Sequence, residues 1–216
     1  MSIATLVLGP SGTGKSTSMR NLDPAHTLLI QCINKPLPFR SNDWKPCTKE
    51  NPQGSVIRTS NTDTIMRAMR GSKKDVIVID DYQATMVNEM MARSAEKGYD
   101  KFTDIAKSAW QLFELAGQLA EHRRVYILAH TQSDDHGQIR MKTVGRMVDE
   151  KIVPEGYFTI VLRTEIINGQ YLFSTQSNGQ DCCKSPIGMF DDRHIPNDLA
   201  AVDAAFFSYY QLAQPT

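Results

Sequence analysis

Short apolar runs alternate along the chain with polar stretches rich in glycine and proline, and this alternation predicts buried strands separated by helices. Ile3 to Leu8, Thr27 to Cys32, Ser55 to Arg58, Val76 to Ile79 and Val125 to Ala129 read as strands. The longer runs are apolar without alternation, as expected of a parallel sheet covered on both faces. Helical spacing is predicted from Lys15 to Leu22, from Asn61 to Arg70 with Ser60 as cap and Gly71 as stop, from Tyr82 to Ala95, and from Phe102 to His122 after a turn at Gly98. In the last of these, Ile105, Ala109, Leu112, Phe113, Ala116 and Leu119 form one core stripe. The pattern then changes. Tyr157 to Thr164 and Tyr171 to Thr175 are strands joined at Asn168-Gly169, a strong hairpin signal, and a final helix is predicted from Asn197 to Leu212. The expected fold class is α/β, with a mostly parallel central sheet flanked by helices and a C-terminal antiparallel hairpin.

The first strand runs into Gly9-Pro10-Ser11-Gly12-Thr13-Gly14-Lys15-Ser16, which fits the phosphate-loop pattern G-x-x-x-x-G-K-[ST]. A strand, a glycine-rich loop and a helix start in that order aim backbone N–H groups at one point, where an anion is favoured. Glycines let the backbone close around a phosphate. Lys15 would reach β- and γ-phosphates, and the Ser16 hydroxyl would complete the shell of Mg²⁺. Residues Gly9 to Ser16 together with Thr17 form the candidate nucleotide-binding set.

The Val76–Ile79 run ends in Asp80-Asp81. Ligands of open α/β sheets bind at the carboxyl ends of the strands, so both carboxylates are expected to face the loop. Asp80 is the metal candidate with Ser16, and Asp81 is placed to orient or activate water. The next strand ends in His130-Thr131-Gln132, the expected position of a residue that senses the γ-phosphate; His130 and Gln132 are the chosen candidates.

Composition narrows the partners. Lys plus Arg and Asp plus Glu both number 24 in the 216 residues, so the bulk field does not attract a polyanion and any nucleic-acid contact must be local. Arg140, Lys142 and Arg146 crowd such a segment, next to the presumed sensor, and could meet the backbone of single-stranded nucleic acid; a solvated loop is the competing reading. The long proline-bearing stretch from Lys35 to Gly54 is either functional or an insertion covering the sheet edge. Four cysteines without paired spacing suggest neither a zinc site nor a disulfide framework. With no basic leader and no apolar run of roughly 20 residues, a cytosolic chain with no membrane contact is expected.

The order of these motifs resembles the RecA-like core, and more closely the compact phage ATP-binding proteins of that superfamily, the Sak-four class of single-strand annealing proteins and phage recombinases. Gly9 to Ser16, Lys35-Pro36-Leu37-Pro38-Phe39, Val76 to Asp81, His130 to Gln132, Lys184-Ser185-Pro186 and Gly188-Met189-Phe190 carry the likeness. The resemblance implies a homo-oligomeric ATPase using ATP and Mg²⁺, with ATP between subunits, acting on single-stranded DNA in the host cytoplasm, and a single-strand binding protein as a further partner. It implies one domain, 1–216, with a nucleotide-binding core to 132, a DNA-binding loop region over 133–156, and the hairpin and last helix over 157–216. Two departures stand out. The segment after the second strand, Gln31-Cys32-Ile33-Asn34, lacks the family's catalytic glutamate, leaving Asp81 for the water. The positive side chain supplied by a neighbouring subunit would be Lys184, with Arg163 in reserve. Competing readings are a P-loop small-molecule kinase, for which no arginine-rich lid is visible, and an ATP-gated assembly or loading protein with little turnover.

Overall fold

The computed structural model describes residues 1–134, 136–145 and 147–212. The fold is α/β. Strands β1 (Ile3–Gly9), β2 (Thr27–Gln31), β3 (Val56–Arg58), β4 (Val76–Asp80) and β5 (Arg124–Ser133) pair in parallel, and β7 (Ile160–Ile167) joins β1 in parallel on its other side. Antiparallel β8 (Gln170–Ser174) and β9 (His194–Pro196) complete the spatial order β3-β2-β4-β5-β1-β7-β8-β9.

Both faces of the parallel strands are buried, and alternate residues feed two separate cores. Leu6, Leu8, Ile77, Ile79, Val125 and Ile127 face one core, closed by helices α1 (Thr62–Gly71) and α3 (Asp100–Gln118) with part of α2 (Gln83–Ala92). Val7, Leu29, Val78, Tyr126 and Leu128 face the other, closed by α4 (Leu199–Tyr210), Met19 and Trp44. A buried polar cluster fastens α4: Asp203 accepts from the Arg124 guanidinium at 3.0 Å and from the Tyr126 hydroxyl at 2.9 Å.

Several expected elements are corrected. The helix expected from Lys15 to Leu22 is a single 3-10 turn, Ser16–Met19. Asp23-Pro24 leaves it little length, and the backbone makes i−3 bonds, Arg20 N to Thr17 O at 3.1 Å and Leu22 N to Met19 O at 3.0 Å, while the side chains of Arg20 and Asn21 reach Asn197 O and Asp198. Asn61, not Ser60, caps α1, its Oδ1 accepting from Thr64 N at 2.9 Å. The strand read over Val125 to Ala129 and ending in His130-Thr131-Gln132 runs on as β5 to Ser133, and its end pairs antiparallel with a three-residue β6 (Ile139–Met141). The loop region over 133–156 therefore carries a hairpin arm, pinned where the buried Glu155 accepts from Met141 N at 2.6 Å. The β7–β8 hairpin turns where expected: Asn168 and Gly169 both have positive φ, 51° and 77°. Among the described residues no helix is long and apolar enough to cross a membrane.

Candidate functional site

The glycine-rich loop leaves β1 at its carboxyl end. Gly9 is required by the protein itself, since a Cβ there would lie 1.8 Å from Thr164 Oγ1 on β7. Gly12 and Gly14 are required by conformation, with φ of 81° and 94°. On the outer side of the loop Thr13 Oγ1 bonds to Pro10 O and to Thr164 Oγ1, which fixes the loop against β7. Lys15 is buried and folds back on the loop, Nζ donating to Gly9 O at 2.8 Å and Pro10 O at 2.7 Å. Burial pulls its pKa down to about 8 against the opposing charges of Asp81 and Asp80. A dehydrated ammonium satisfied only by neutral carbonyls gains greatly from an anion within reach.

Asp80 ends β4, Asp81 follows it, and both sit beside the loop. The Ser16 hydroxyl donates to both Asp80 oxygens, at 2.9 and 3.0 Å. Burial, then the neighbouring Asp81 charge, raises the Asp80 pKa to about 6 despite the Ser16 hydrogen bond. Asp81 adopts left-handed backbone, φ 56°, a conformation aspartate tolerates better than most residues. It pairs with the Lys35 ammonium and lies 3.6 Å from His130 Nε2. Burial pushes its carboxyl up, but the hydrogen bonds and charges of His130 and Lys35 outweigh that and hold it below the usual range. Two adjacent carboxylates are thus driven apart, Asp80 towards the neutral form and Asp81 firmly ionised, a pattern typical of acid–base sites.

The loop, Asp81 and His130 share one cleft of about 650 Å³, within the usual size of small-molecule sites, and Asp80 reaches it through Ser16. Ser11, Gly12, Gly14, Lys15, Ser16 and Thr17 form its floor, and Asp81 and His130 line it near the strand ends. Lys35, Pro36 and Pro38 bring the proline-bearing stretch into the wall, while Phe39 and Trp44 of the same stretch meet edge to face and pack on the core. That stretch both lines the cleft and covers the sheet. Arg20, Tyr171 and Asn197 complete the cleft from residues to which the sequence reading gave no role. Only contacts between distant segments reveal them; the one local signal was the hairpin that carries Tyr171.

Among the described residues no group of three or more His, Cys, Asp or Glu could hold a metal. Ser16 and Asp80 offer hard oxygen donors, which fits Mg²⁺, an ion that usually takes one or two protein ligands plus water and substrate phosphate.

Other candidates lie elsewhere. Gln132 pairs opposite Arg140 in the β5–β6 arm and donates to Asp149 Oδ1 at 3.4 Å, away from the cleft lining. Lys184 is exposed and held by its backbone to Val161, well down β7 from the loop, and does not line the cleft. The reserve Arg163 is engaged by Glu165 and by Asp181 at 3.1 Å. Arg140 and Lys142 are exposed on the arm, Arg140 Nε 3.6 Å from Asp134, and Lys142 N donates to His130 O at 2.7 Å. Arg146 lies outside the described residues. In comparisons with known proteins, no protein-family model and no curated protein matches this chain.

Proposed function

We propose that the chain is a Mg-ATP-binding, RecA-like phage protein that hydrolyses ATP and acts on single-stranded DNA in recombination or annealing as a homo-oligomer. The observation that carries the nucleotide reading is Ser16 Oγ bonded to both oxygens of Asp80, beside a buried Lys15 on a glycine loop. Loop, lysine and Asp81 converge from distant segments on one cleft of the right size, with Asp80 held just behind Ser16. Strand β5 lies between β1 and β4, so His130 stands between the phosphate loop and the acidic strand end, as a γ-phosphate sensor requires.

In this reading Lys15 exchanges its bonds to Gly9 O and Pro10 O for the β- and γ-phosphates. Ser16 and Asp80 would hold Mg²⁺, which when bound neutralises charge on the phosphates. Asp81 orients a water in line with the γ-phosphorus and accepts its proton as the bond to the ADP oxygen breaks, giving ADP and phosphate. Lys35 directly follows the segment in which the family's glutamate is missing, keeps Asp81 ionised, and adds a cation from within the same chain. The arm bearing Arg140 and Lys142 hangs directly from His130 through the Lys142 N to His130 O bond, a short route between nucleotide state and DNA contact.

A second reading has one observation in its favour. Lys35 is ion-paired to the carboxylate that must accept a proton, which suits an ATP-gated assembly protein with little turnover. Phosphate release from Mg-ATP with and without single-stranded DNA separates the two. The hydrolase reading expects release that rises with DNA and is lost in Lys15→Ala; binding without release under either condition favours the assembly protein.

A further inference from the structure

Asn197 follows β9 directly and is 3% exposed, yet neither its Oδ1 nor its Nδ2 has a hydrogen-bond partner. Its backbone is well held, N donating to Tyr171 O at 3.2 Å and O accepting from Arg20 at 2.7 Å. Buried side-chain polar atoms are nearly always paired, so an amide open at both ends needs a reason. It lines the phosphate-loop cleft. A Cβ on Gly14 would come within 3.0 Å of both Asn197 Oδ1 and Tyr171 Cδ1, so amide and ring edge meet at the loop. Tyr171, in contrast, is 51% exposed, an uncommon state for a ring in a cleft wall.

The sheet order separates the two ends of this cleft. Lys35 and Asp81 follow β2 and β4 and His130 lies within β5, on one side of β1; Tyr171 lies in β8 and Asn197 follows β9, on the other. A linear ligand that lies along the loop with its terminal phosphate at Asp81 therefore directs its opposite end to Tyr171 and Asn197.

We propose that Tyr171 and Asn197 form the subsite for a purine base, an inference that rests on reading the cleft as a nucleoside triphosphate site. The tyrosine ring supplies a stacking face of the kind that holds bases without regard to sequence. The Asn197 amide presents one donor and one acceptor side by side. A purine edge offers the matching pair: the amine and adjacent ring nitrogen of adenine, or the carbonyl and ring N–H of guanine. Binding would satisfy the two open atoms together.

Calorimetric titration of the full chain in Mg²⁺ with ATP, GTP and inorganic tripolyphosphate tests this, using native protein, Tyr171→Ala and Asn197→Leu. Tyr171 is exposed, and leucine at 197 replaces two unpartnered polar atoms with a similar volume, so both variants are expected to fold. Native protein should bind at least one purine nucleotide about tenfold or more tightly than tripolyphosphate, and each variant should lose that advantage while binding tripolyphosphate unchanged. Preference between ATP and GTP identifies the purine edge that is read. Nucleotide affinity untouched in both variants, or native protein binding tripolyphosphate as tightly as either nucleotide, overturns the subsite and leaves the phosphate-loop reading standing. Failure of all three ligands to bind native protein overturns that reading itself.

Discussion

Ser16 Oγ lies 2.9 and 3.0 Å from the two oxygens of Asp80, closing a contact between residues 64 apart in sequence. Asp80 is the last residue of β4, and a hydroxyl spanning its buried carboxylate is the arrangement a hard cation would enter. Ser16→Ala and Asp80→Asn should each weaken the Mg²⁺ dependence of nucleotide binding by about tenfold or more, as loss of a bond to a charged group implies. A magnesium titration at fixed nucleotide measures this. Unaltered dependence in both variants would mean that the metal is held elsewhere.

Acidity gives a second check, made on nucleotide-free protein in chelator. Native Asp80 titrates at about 6, whereas an unfolded aspartate titrates near 4. Between those values the folded chain keeps a proton that the unfolded chain has released, so this group's contribution declines as pH rises through the window, by up to about 3 kcal/mol. Asp81 works in the opposite sense: its lowered pKa contributes stability above the ordinary carboxylate range, lost as pH falls below about 4. Urea unfolding of native protein and Asp80→Asn should therefore converge towards pH 4 and diverge towards pH 6, with the variant gaining. A constant difference across that range would contradict the buried, partly protonated Asp80.

Asp81 carries the chemistry assigned to water activation. Asp81→Asn keeps a residue type suited to the left-handed backbone and removes the base; turnover should fall about a hundredfold or more with nucleotide affinity retained. Lys35 helps to hold that carboxyl down, so Lys35→Met should move the acid limb of the turnover profile to higher pH. A variant that loses rate with no movement of the limb would remove Lys35 from the Asp81 pair.

The arm bearing Arg140 and Lys142 makes a salt-dependent prediction. Each replacement by alanine should lower the magnitude of the slope of log affinity against log salt for single-stranded DNA by about 0.7, with ATP affinity unchanged. Fluorescence anisotropy over a range of salt reads this directly. Slopes equal to native would place any DNA contact on another surface.

Stability away from the cleft depends on the Arg124–Asp203 pair. Both side chains are nearly buried, and Asp203→Ala would strand a guanidinium inside the fold. A loss of about 3–5 kcal/mol is expected in urea unfolding. A loss below 1 kcal/mol would show that α4 is held chiefly by its apolar face of Leu199, Val202 and Phe206.

Local signals were legible in the chain. The apolar runs predict β2 and β4 closely, β1 nearly so, and the buried first half of β5, because these stretches are covered on both faces, and the glycine loop and Asp80-Asp81 stand out because their chemistry lies in consecutive residues. The helix after the loop is shorter than the spacing predicts, since apolar spacing over Lys15 to Leu22 does not distinguish an α-helix from a 3-10 turn that Asp23-Pro24 soon ends. Three-residue strands such as β6 and β9 are too short to show a period. Arg163 looked available as a cation because its partners Glu165 and Asp181 come together only through the hairpin and the return of the chain beside β7. Lys35, Tyr171 and Asn197 enter the cleft by the same kind of distant pairing, which no spacing rule encodes.

The central claim is that Lys15 and its loop bind a nucleoside triphosphate, and equilibrium titration of the full chain with Mg-ATP tests it most directly, with Lys15→Ala alongside. One saturable site in the native protein, lost or weakened by about a hundredfold in the variant, is the predicted result. Equal binding by both proteins, or none by the native chain, would contradict it.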